Sequence, residues 1–218
     1  MIDTLIQQLR ISPKLELYFE EIQRLLREEH IKRNEFYRVI TPNDKAEFIN
    51  GEMVFHSPVR LRHNRVGKLL LVLIDGYVRK QQLGYVGYEK LLISLTRNDY
   101  EPDICFFRRE VSQTFSPQQM KFPAPDFIVE ILSETTARTD RGTKFDDYAA
   151  HGVKEYWIID PNAEFVEQYL LRGEEYLLTQ KTDSGILKSE AIAGFAVPVR
   201  AMFDEQDNLA ALRALMGE

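Results

Sequence analysis

The sequence predicts an α/β protein in which a mixed β-sheet is flanked by helices. The region 126–160 has the pattern of a buried strand, a helix and a second buried strand, and such a unit places its two strands parallel. Hairpin signals stand before and after this unit, so antiparallel strands are expected beside the parallel pair. Three units are expected: an N-terminal helical extension (1–44), the α/β domain (45–200) and a C-terminal helical tail (201–218).

The composition is that of a globular protein without disulfide bonds. Of the 218 residues, 44% are apolar and 28% are charged. Cys105 is the only cysteine, which excludes an internal disulfide and a cysteine-based zinc site and fits a cytoplasmic protein. The sequence shows no secretory signal and no apolar run long enough for a membrane span, so no membrane partner is expected. The net charge of −6 disfavours a general polyanion-binding surface but leaves room for a local basic site.

The N-terminal third contains two predicted helices and a hairpin. Residues 14–30 carry a stripe of apolar side chains at helical spacing, which packs either on the domain or on a second subunit, giving a homodimer. The stripe consists of Leu15, Tyr18, Ile22, Leu25 and Leu26. Asn50-Gly51 predicts a two-residue hairpin turn, and Ser57-Pro58 predicts the start of a long helix over 58–82.

The remaining elements follow from short apolar runs and turn residues. Strands are predicted at 84–88, 90–96, 104–107, 126–132 and 155–160, a loop at 109–125, and a hairpin near 165–180. A helix is predicted from Asp140 to His151, closed by Gly152, and another over 208–216.

Carboxylates at strand ends are the strongest chemical signal. Asp126 and Glu130 share one strand face but lie about 13 Å apart, too far to grip one cation. A partner for Glu130 must come from another strand, and Asp103 is the natural candidate. Two carboxylates about 4 Å apart repel by roughly 4 kcal/mol, which a Mg²⁺ or Mn²⁺ ion would offset.

Lys144 supplies the positive group that phosphate chemistry needs. It lies in the first turn of the helix that follows the Glu130 strand, and that turn sits over the strand's C-terminal end. Asp103, Glu130 and Lys144 would then form one cluster of metal ligands and an amine. The alternative is ordinary: a turn aspartate and a solvated lysine.

Several motifs resemble the Uma-type restriction endonuclease family of bacteria, a domain of unknown function in the PD-(D/E)XK nuclease superfamily. They are INGEMVFHSP, EPDICFF, APDFIVEILS and the block from Lys144 to Pro161, and the resemblance runs from about Phe48 to Phe195. It implies a restriction-endonuclease-like fold. Asp103 matches the superfamily aspartate and Glu130 the acidic member of (D/E)XK.

The resemblance also extends to the lysine and two further positions. Leu132 stands where the superfamily lysine is expected, and Lys144 on the next helix matches the relocated lysine of the family. Glu52 and His63 match family positions as a metal ligand and a catalytic group, although a solvated glutamate and a core histidine are the plainer interpretations.

A basic helix face near the site predicts a DNA-binding surface. The residues in question are Arg60, Arg62, Arg65, Lys68, Arg138 and Arg141. The sequence is therefore interpreted as a metal-dependent endonuclease that hydrolyses phosphodiester bonds in DNA. A catalytically inactive nucleic-acid-binding or protein-interaction module of the same fold is the alternative.

Overall fold

The computed structural model describes residues 2–217, with side chains from residue 4 onward. The helices are α1 (Ile2–Arg10), α2 (Leu15–Val39), α3 (Leu61–Gln81), α4 (Arg109–Ser112), α5 (Ala137–Asp140), α6 (Thr143–Ala150) and α7 (Glu205–Met216), with a 3₁₀ turn at Val199–Met202. The strands are β1 (Ala46–Ile49), β2 (Glu52–Phe55), β3 (Gly84–Tyr88), β4 (Leu92–Ser94), β5 (Asp99–Tyr100), β6 (Ile104–Arg108), β7 (Lys121–Phe122), β8 (Phe127–Ile131), β9 (Glu155–Asp160), β10 (Phe165–Arg172), β11 (Glu175–Thr182), β12 (Ile186–Lys188) and β13 (Ala196–Pro198).

The main sheet has the order β11-β10-β9-β8-β6-β3 and is mixed, as the sequence predicts. Strands β8 and β9 are parallel, with Phe127 opposite Glu155 and Ile131 opposite Ile159. The other neighbouring pairs run antiparallel. The parallel pair places the C-terminal end of β8 beneath the start of α6, where the candidate site lies.

Alternation along β8 divides the core into two layers. Phe127, Val129 and Ile131 pack in one cluster with residues of α3 such as Leu70. The intervening Ile128 packs on the opposite side, in a cluster that also holds Tyr148 of α6. Because side chains alternate on a strand, Glu130 shares the face of Ile128 and looks toward α6.

A second sheet of short strands, in the order β2-β1-β5-β4-β7, was not predicted as a unit. Its β1–β2 hairpin turns at Asn50 and Gly51, both at positive φ (51° and 82°), which confirms the predicted turn. Strand β1 pairs with β5 through Phe48 and Asp99. A separate pair, β12 with β13, was also missed.

Two predicted helix boundaries are wrong. Helix α3 begins at Leu61, and its N-cap is Arg60 in an extended conformation, so Ser57 does not cap it. The helix predicted from Asp140 to His151 is split: α5 ends at Asp140, and α6 restarts after Gly142. A Cβ on residue 142 would lie 3.0 Å from the Arg138 carbonyl oxygen, so glycine permits this close passage.

Helix α2 is longer than the predicted 14–30, and among the described residues its C-terminal part makes the contacts with the domain. Arg33 donates to both carboxylate oxygens of Asp99, at 2.6 and 2.8 Å. Phe36 is fully buried against Phe48. The predicted stripe from Leu15 to Leu26 does not pack on the domain, because its side chains are 44–47% exposed.

A helix with the length and apolarity needed to cross a bilayer does not occur among residues 2–217.

Candidate active site

Three side chains predicted from sequence line one cavity of about 230 Å³ at the C-terminal end of β8. The Lys144 Nζ donates to Glu130 Oε1 over 2.9 Å, although the two residues lie 14 positions apart. Asp103 Oδ2 accepts a 2.8 Å hydrogen bond from the backbone N–H of Ile131, the residue after Glu130. All three side chains are nearly inaccessible to water. The predicted convergence of two acids and an amine is therefore present.

Glu47 of β1 completes the cluster and was missed. One of its oxygens, Oε1, lies 2.8 Å from Lys144 Nζ and also accepts from the backbone N–H of Glu101. The other, Oε2, lies 2.9 Å from His56 Nε2. The signal in the sequence was an acid inside the short apolar run Ala46–Ile49, the same pattern that singled out Glu130.

Glu52 was the predicted acid of this hairpin, and the structure does not bring it to the cluster. Its side chain is 75% exposed and pairs with Lys32 at 3.0 Å. It begins β2, on the far side of the Asn50-Gly51 turn from Glu47. Glu47 on one strand of the hairpin is therefore buried, whereas Glu52 on the other strand is exposed to solvent.

Asp140 is the third acid around Lys144. Its Oδ1 lies 3.5 Å from Lys144 Nζ, one helical turn earlier in the chain. Both carboxylate oxygens are buried, and neither accepts a hydrogen bond from the described residues. Lys144 is consequently enclosed by carboxylates from β1, β8 and α5.

Burial sets the electrostatics of this cluster. Burial would lower the pKa of Lys144, but the charges of Glu130, Glu47 and Asp140 raise it well above its ordinary value. Burial raises the pKa of Glu130 well above its usual range, and Lys144 offsets this only in part because three other acids are near. Burial works the same way on Glu47, yet Lys144 and His56 outweigh it and bring its pKa to about 2. The single positive charge of Lys144 therefore faces three carboxyl groups, those of Glu47, Glu130 and Asp140.

Asp103 is surrounded by donors. Lys45 Nζ lies 3.1 Å from its Oδ1, and His63 Nε2 lies 3.2 Å from its Oδ2. Burial alone would raise the pKa of Asp103, but the hydrogen bond from His63 and the charge of Lys45 hold it well below the ordinary value. His63 therefore faces the cavity from α3. Its Nδ1 is buried and has no hydrogen-bond partner among the described residues, which departs from the plain core-histidine interpretation.

The donor chemistry fits a hard divalent cation held by Asp103 and Glu130. Glu130 Oε1 is taken by Lys144 and by the Tyr148 hydroxyl, whereas no described residue donates to Oε2. A carboxylate has about four lone-pair sites, so Asp103 keeps acceptor capacity beside its donors. No group of three His, Cys, Asp or Glu side chains suited to a metal occurs among the described residues. Mg²⁺ commonly uses one or two carboxylates and keeps several waters, so two ligands suffice.

Two of the predicted DNA-binding arginines lie at the cavity. Arg60 pairs with Glu134 at 2.8 Å, and Arg62 donates to Asn162 Oδ1 over 2.8 Å. All four of these residues line the cavity, and both arginines are exposed.

The other four predicted basic residues do not lie at the cavity with Arg60 and Arg62. Arg65 lies 3.5 Å from Glu205, and Arg141 is paired with Glu167 of β10. Lys68 and Arg138 are exposed, and neither has an ion pair among the described residues. None of the four lines the cavity.

Asp126 precedes β8 and binds groups outside the cluster, in agreement with its predicted distance from Glu130. It accepts from the Arg108 backbone N–H over 2.9 Å and from Lys154 Nζ over 2.8 Å. Burial would raise the pKa of Asp126, but these hydrogen bonds lower it below the ordinary value. Asp126 therefore links the start of β8 to Arg108 of β6 and to Lys154, the residue before β9.

Comparison with known proteins adds three findings. A family model described as “Putative restriction endonuclease” (Uma2) matches residues 33–200. The uncharacterized protein sll1609 of Synechocystis sp. (strain ATCC 27184 / PCC 6803 / Kazusa) is 30% identical over 140 residues, or 63% of this chain and 78% of that protein. A crystal structure described as “a putative nuclease belonging to DUF820”, from Anabaena variabilis ATCC 29413, matches with a TM-score of 0.67 at 19% identity. It covers 78% of this chain and 96% of its own, and at that identity the likeness is one of fold.

Proposed function

The chain belongs to the Uma2 family, described as “Putative restriction endonuclease”, and from this premise we propose that it is a metal-dependent endonuclease that hydrolyses phosphodiester bonds in DNA. The observation that carries the proposal is the 2.9 Å contact of Lys144 with Glu130 in the cavity that also holds Asp103. An amine beside two carboxylates at a strand end is the combination that phosphate chemistry uses. Leu132, at the expected lysine position, is buried in the core and contributes no charge.

Each side chain then has a definite task. Asp103 and Glu130 would hold Mg²⁺ or Mn²⁺, which when bound supplies an activated water and neutralises charge on the phosphate. Lys144 fixes the orientation of Glu130 and provides a buried positive charge toward the scissile phosphate. His63 and Lys45 hold the Asp103 carboxylate in place from the other side.

Arg60 and Arg62 are the side chains that would receive the DNA backbone. They stand at the cavity and are exposed, so a phosphate reaching Glu130 passes them. Arg60 would exchange its contact with Glu134 for a phosphate contact, because arginine binds both groups through the same planar set of donors. These contacts engage the backbone and carry no sequence preference.

The direct test is nicking of supercoiled plasmid in Mg²⁺ or Mn²⁺ by the wild type, Glu130→Gln and Glu52→Gln. Glu130→Gln keeps the shape and removes the charge, so we expect nicking to fall to background. Glu52→Gln alters an exposed glutamate of the β1–β2 hairpin that lies outside the cluster, and this variant should nick like the wild type. Calorimetric titration with Mn²⁺ is the second readout. The affinity of Glu130→Gln should be weaker by at least the roughly 10- to 100-fold that the loss of an outer-shell partner costs. Full nicking by folded Glu130→Gln would remove Glu130 from the mechanism.

A module that binds nucleic acid or protein without cleavage is the second candidate function. It is favoured by one observation: Lys144 is matched by Glu47, Glu130 and Asp140, as in a structural ion-pair network. For DNA binding alone, we would expect steeply salt-dependent binding and no cleavage with any divalent metal. A protein-interaction role would show neither DNA binding nor Mn²⁺ binding.

A further inference from the structure

Residues 15–28 of α2, here called the projecting segment, carry an apolar stripe that nothing in the described chain covers. Six side chains along it expose 44–57% of their surface: Leu15, Tyr18, Phe19, Ile22, Leu25 and Leu26. Contiguous exposed apolar surface of this extent marks an interaction site on a soluble protein. Among the described residues, the ties of this helix to the domain lie beyond this segment, from the Glu29–Arg97 ion pair to Arg33 and Phe36, and the family match begins at residue 33. The stripe therefore lies outside the shared nuclease domain.

We propose that the stripe is covered by the same stripe of a second copy of this chain, in an antiparallel pair centred on Ile22. At about 200 Å² for a large side chain, the six half-exposed residues present roughly 600 Å² on each protomer. The pair would bury roughly 1,200 Å², which reaches the range of specific interfaces. Leu5, Ile6 and Ile11, which are 53–83% exposed, offer further apolar surface next to the segment.

Register and helix dipoles favour the antiparallel orientation. In an antiparallel pair centred on Ile22, residue 18 of one copy lies level with residue 26 of the other, and residue 19 lies level with residue 25, so the apolar side chains of the two stripes meet. A parallel pair would align the two helix dipoles unfavourably.

A two-fold contact of this kind closes on itself. The same patch is used on both protomers, so the assembly stops at two copies. The association also does not depend on the nuclease chemistry and is measurable without substrate or metal.

The test is the molar mass of the full chain in solution, measured by sedimentation equilibrium over a concentration series. We expect the wild type to be a dimer. Ile22→Glu sets two carboxylates against each other at the two-fold axis, so its dissociation constant should rise roughly 100-fold or more. Leu17→Glu is the matched control, because Leu17 is 62% exposed on the opposite side of the same helix, and this variant should stay dimeric. Circular dichroism checks that both variants are folded.

A charge pair placed within the stripe tests the orientation. Tyr18→Glu should weaken the dimer, and combining it with Leu26→Lys should restore part of the affinity, because the antiparallel pair sets residue 18 of one copy level with residue 26 of the other. A wild type that is monomeric at every concentration would overturn the proposal, as would dimerisation unaffected by Ile22→Glu. A double variant that dimerises no more tightly than Tyr18→Glu alone would rule out the antiparallel arrangement.

Discussion

Glu47 shows how one buried side chain joins two sheets at the candidate site. It is fixed in the second sheet by β1, and it reaches Lys144 above the end of β8 at 2.8 Å. A buried charge that loses its partner is costly, so Glu47 and Lys144 stabilise each other only as a pair. The orientation of Lys144 toward Glu130 thus depends on Glu47, which lies 97 positions before Lys144 in the chain.

We predict that Glu47→Gln lowers both stability and activity. The change keeps a polar side chain but removes the charge that Lys144 and His56 face, which should cost about 3 kcal/mol of unfolding free energy. Urea denaturation measures this cost, and plasmid nicking should fall at least about tenfold if Lys144 shifts. Glu52→Gln, in the same hairpin, should change neither quantity. Wild-type behaviour of Glu47→Gln in both assays would contradict this role.

Asp126 gives a pH-dependent prediction away from the metal ligands. Its pKa is lower in the folded chain than the ordinary value of about 3.9, so its stabilisation is fully present above that pH and is lost as pH falls through the folded pKa. Asp126→Asn should therefore cost about 2 kcal/mol at pH 7.

The cost should shrink steadily below about pH 4, where the wild-type carboxyl also becomes neutral. Denaturation at a series of pH values measures the difference between the two proteins. Asp183→Asn is a suitable control, because Asp183 is exposed and makes no ion pair among the described residues. A difference that stays constant from pH 7 to pH 3 would show that the charge of Asp126 contributes nothing.

The meeting of Glu130 and Lys144 was predictable because two local rules bring them together. Alternation placed Glu130 on one strand face, and the first turn of the following helix placed Lys144 above it. Asp140 and Glu101 were beyond such rules. Asp140 ends α5, just before the helix break at Gly142, and this break was not predicted. Glu101 becomes buried only when the second sheet covers it, and this burial raises the pKa of Glu101 to about 7.

At the scale of elements, the parallel β8–β9 pair and the β10–β11 hairpin were predictable, and the second sheet was not. Strands β5 and β7 have two residues each, too few to show alternation. Their existence depends on tertiary pairing, such as Phe48 of β1 with Asp99 of β5. Helix α2 was predicted, but its predicted end at residue 30 lies well before its observed end at Val39. The missed turns carry Arg33 and Tyr37, polar side chains that donate hydrogen bonds to the buried Asp99 and so break the apolar pattern.

The junction of α3 and β3 yields an element-scale prediction. A Cβ at Gly84 would lie 1.9 Å from the Phe107 carbonyl oxygen, inside the β3–β6 pairing. Gly84→Ala should therefore push β3 away from β6 and lower unfolding free energy by about 2 kcal/mol or more. Gly173→Ala is an informative comparison, since no atom lies within 4 Å of its Cβ and only its positive φ opposes the change. Equal stability of Gly84→Ala and the wild type would refute the close contact.

At the scale of the whole molecule, the proposed function requires an acidic chain to approach an acidic polymer. The net charge of −6 opposes long-range attraction to DNA, so the proposed binding would depend on the arginines grouped at the cavity. Such binding should weaken steeply as salt is added.

We predict that the double variant Arg60→Gln, Arg62→Gln lowers the slope of log affinity against log salt by about 2 for duplex DNA. Filter binding or fluorescence anisotropy in Ca²⁺, to limit cleavage, measures the slope. Arg172→Gln with Lys188→Gln removes two charges that do not line the cavity and should leave the slope nearly unchanged. Equal slopes for both double variants would place the DNA path elsewhere.

The amine that approaches Glu130 comes from α6, while the strand position two residues after Glu130 holds Leu132. The proposed chemistry requires charged groups at a set of points in space, and any element that reaches those points can supply them. Searches that demand a fixed letter spacing between acid and lysine will pass over such chains. A three-dimensional query built on the Glu130 carboxylate, the Asp103 carboxylate and an ammonium within 3 Å of the former would retrieve them whatever their order along the polypeptide.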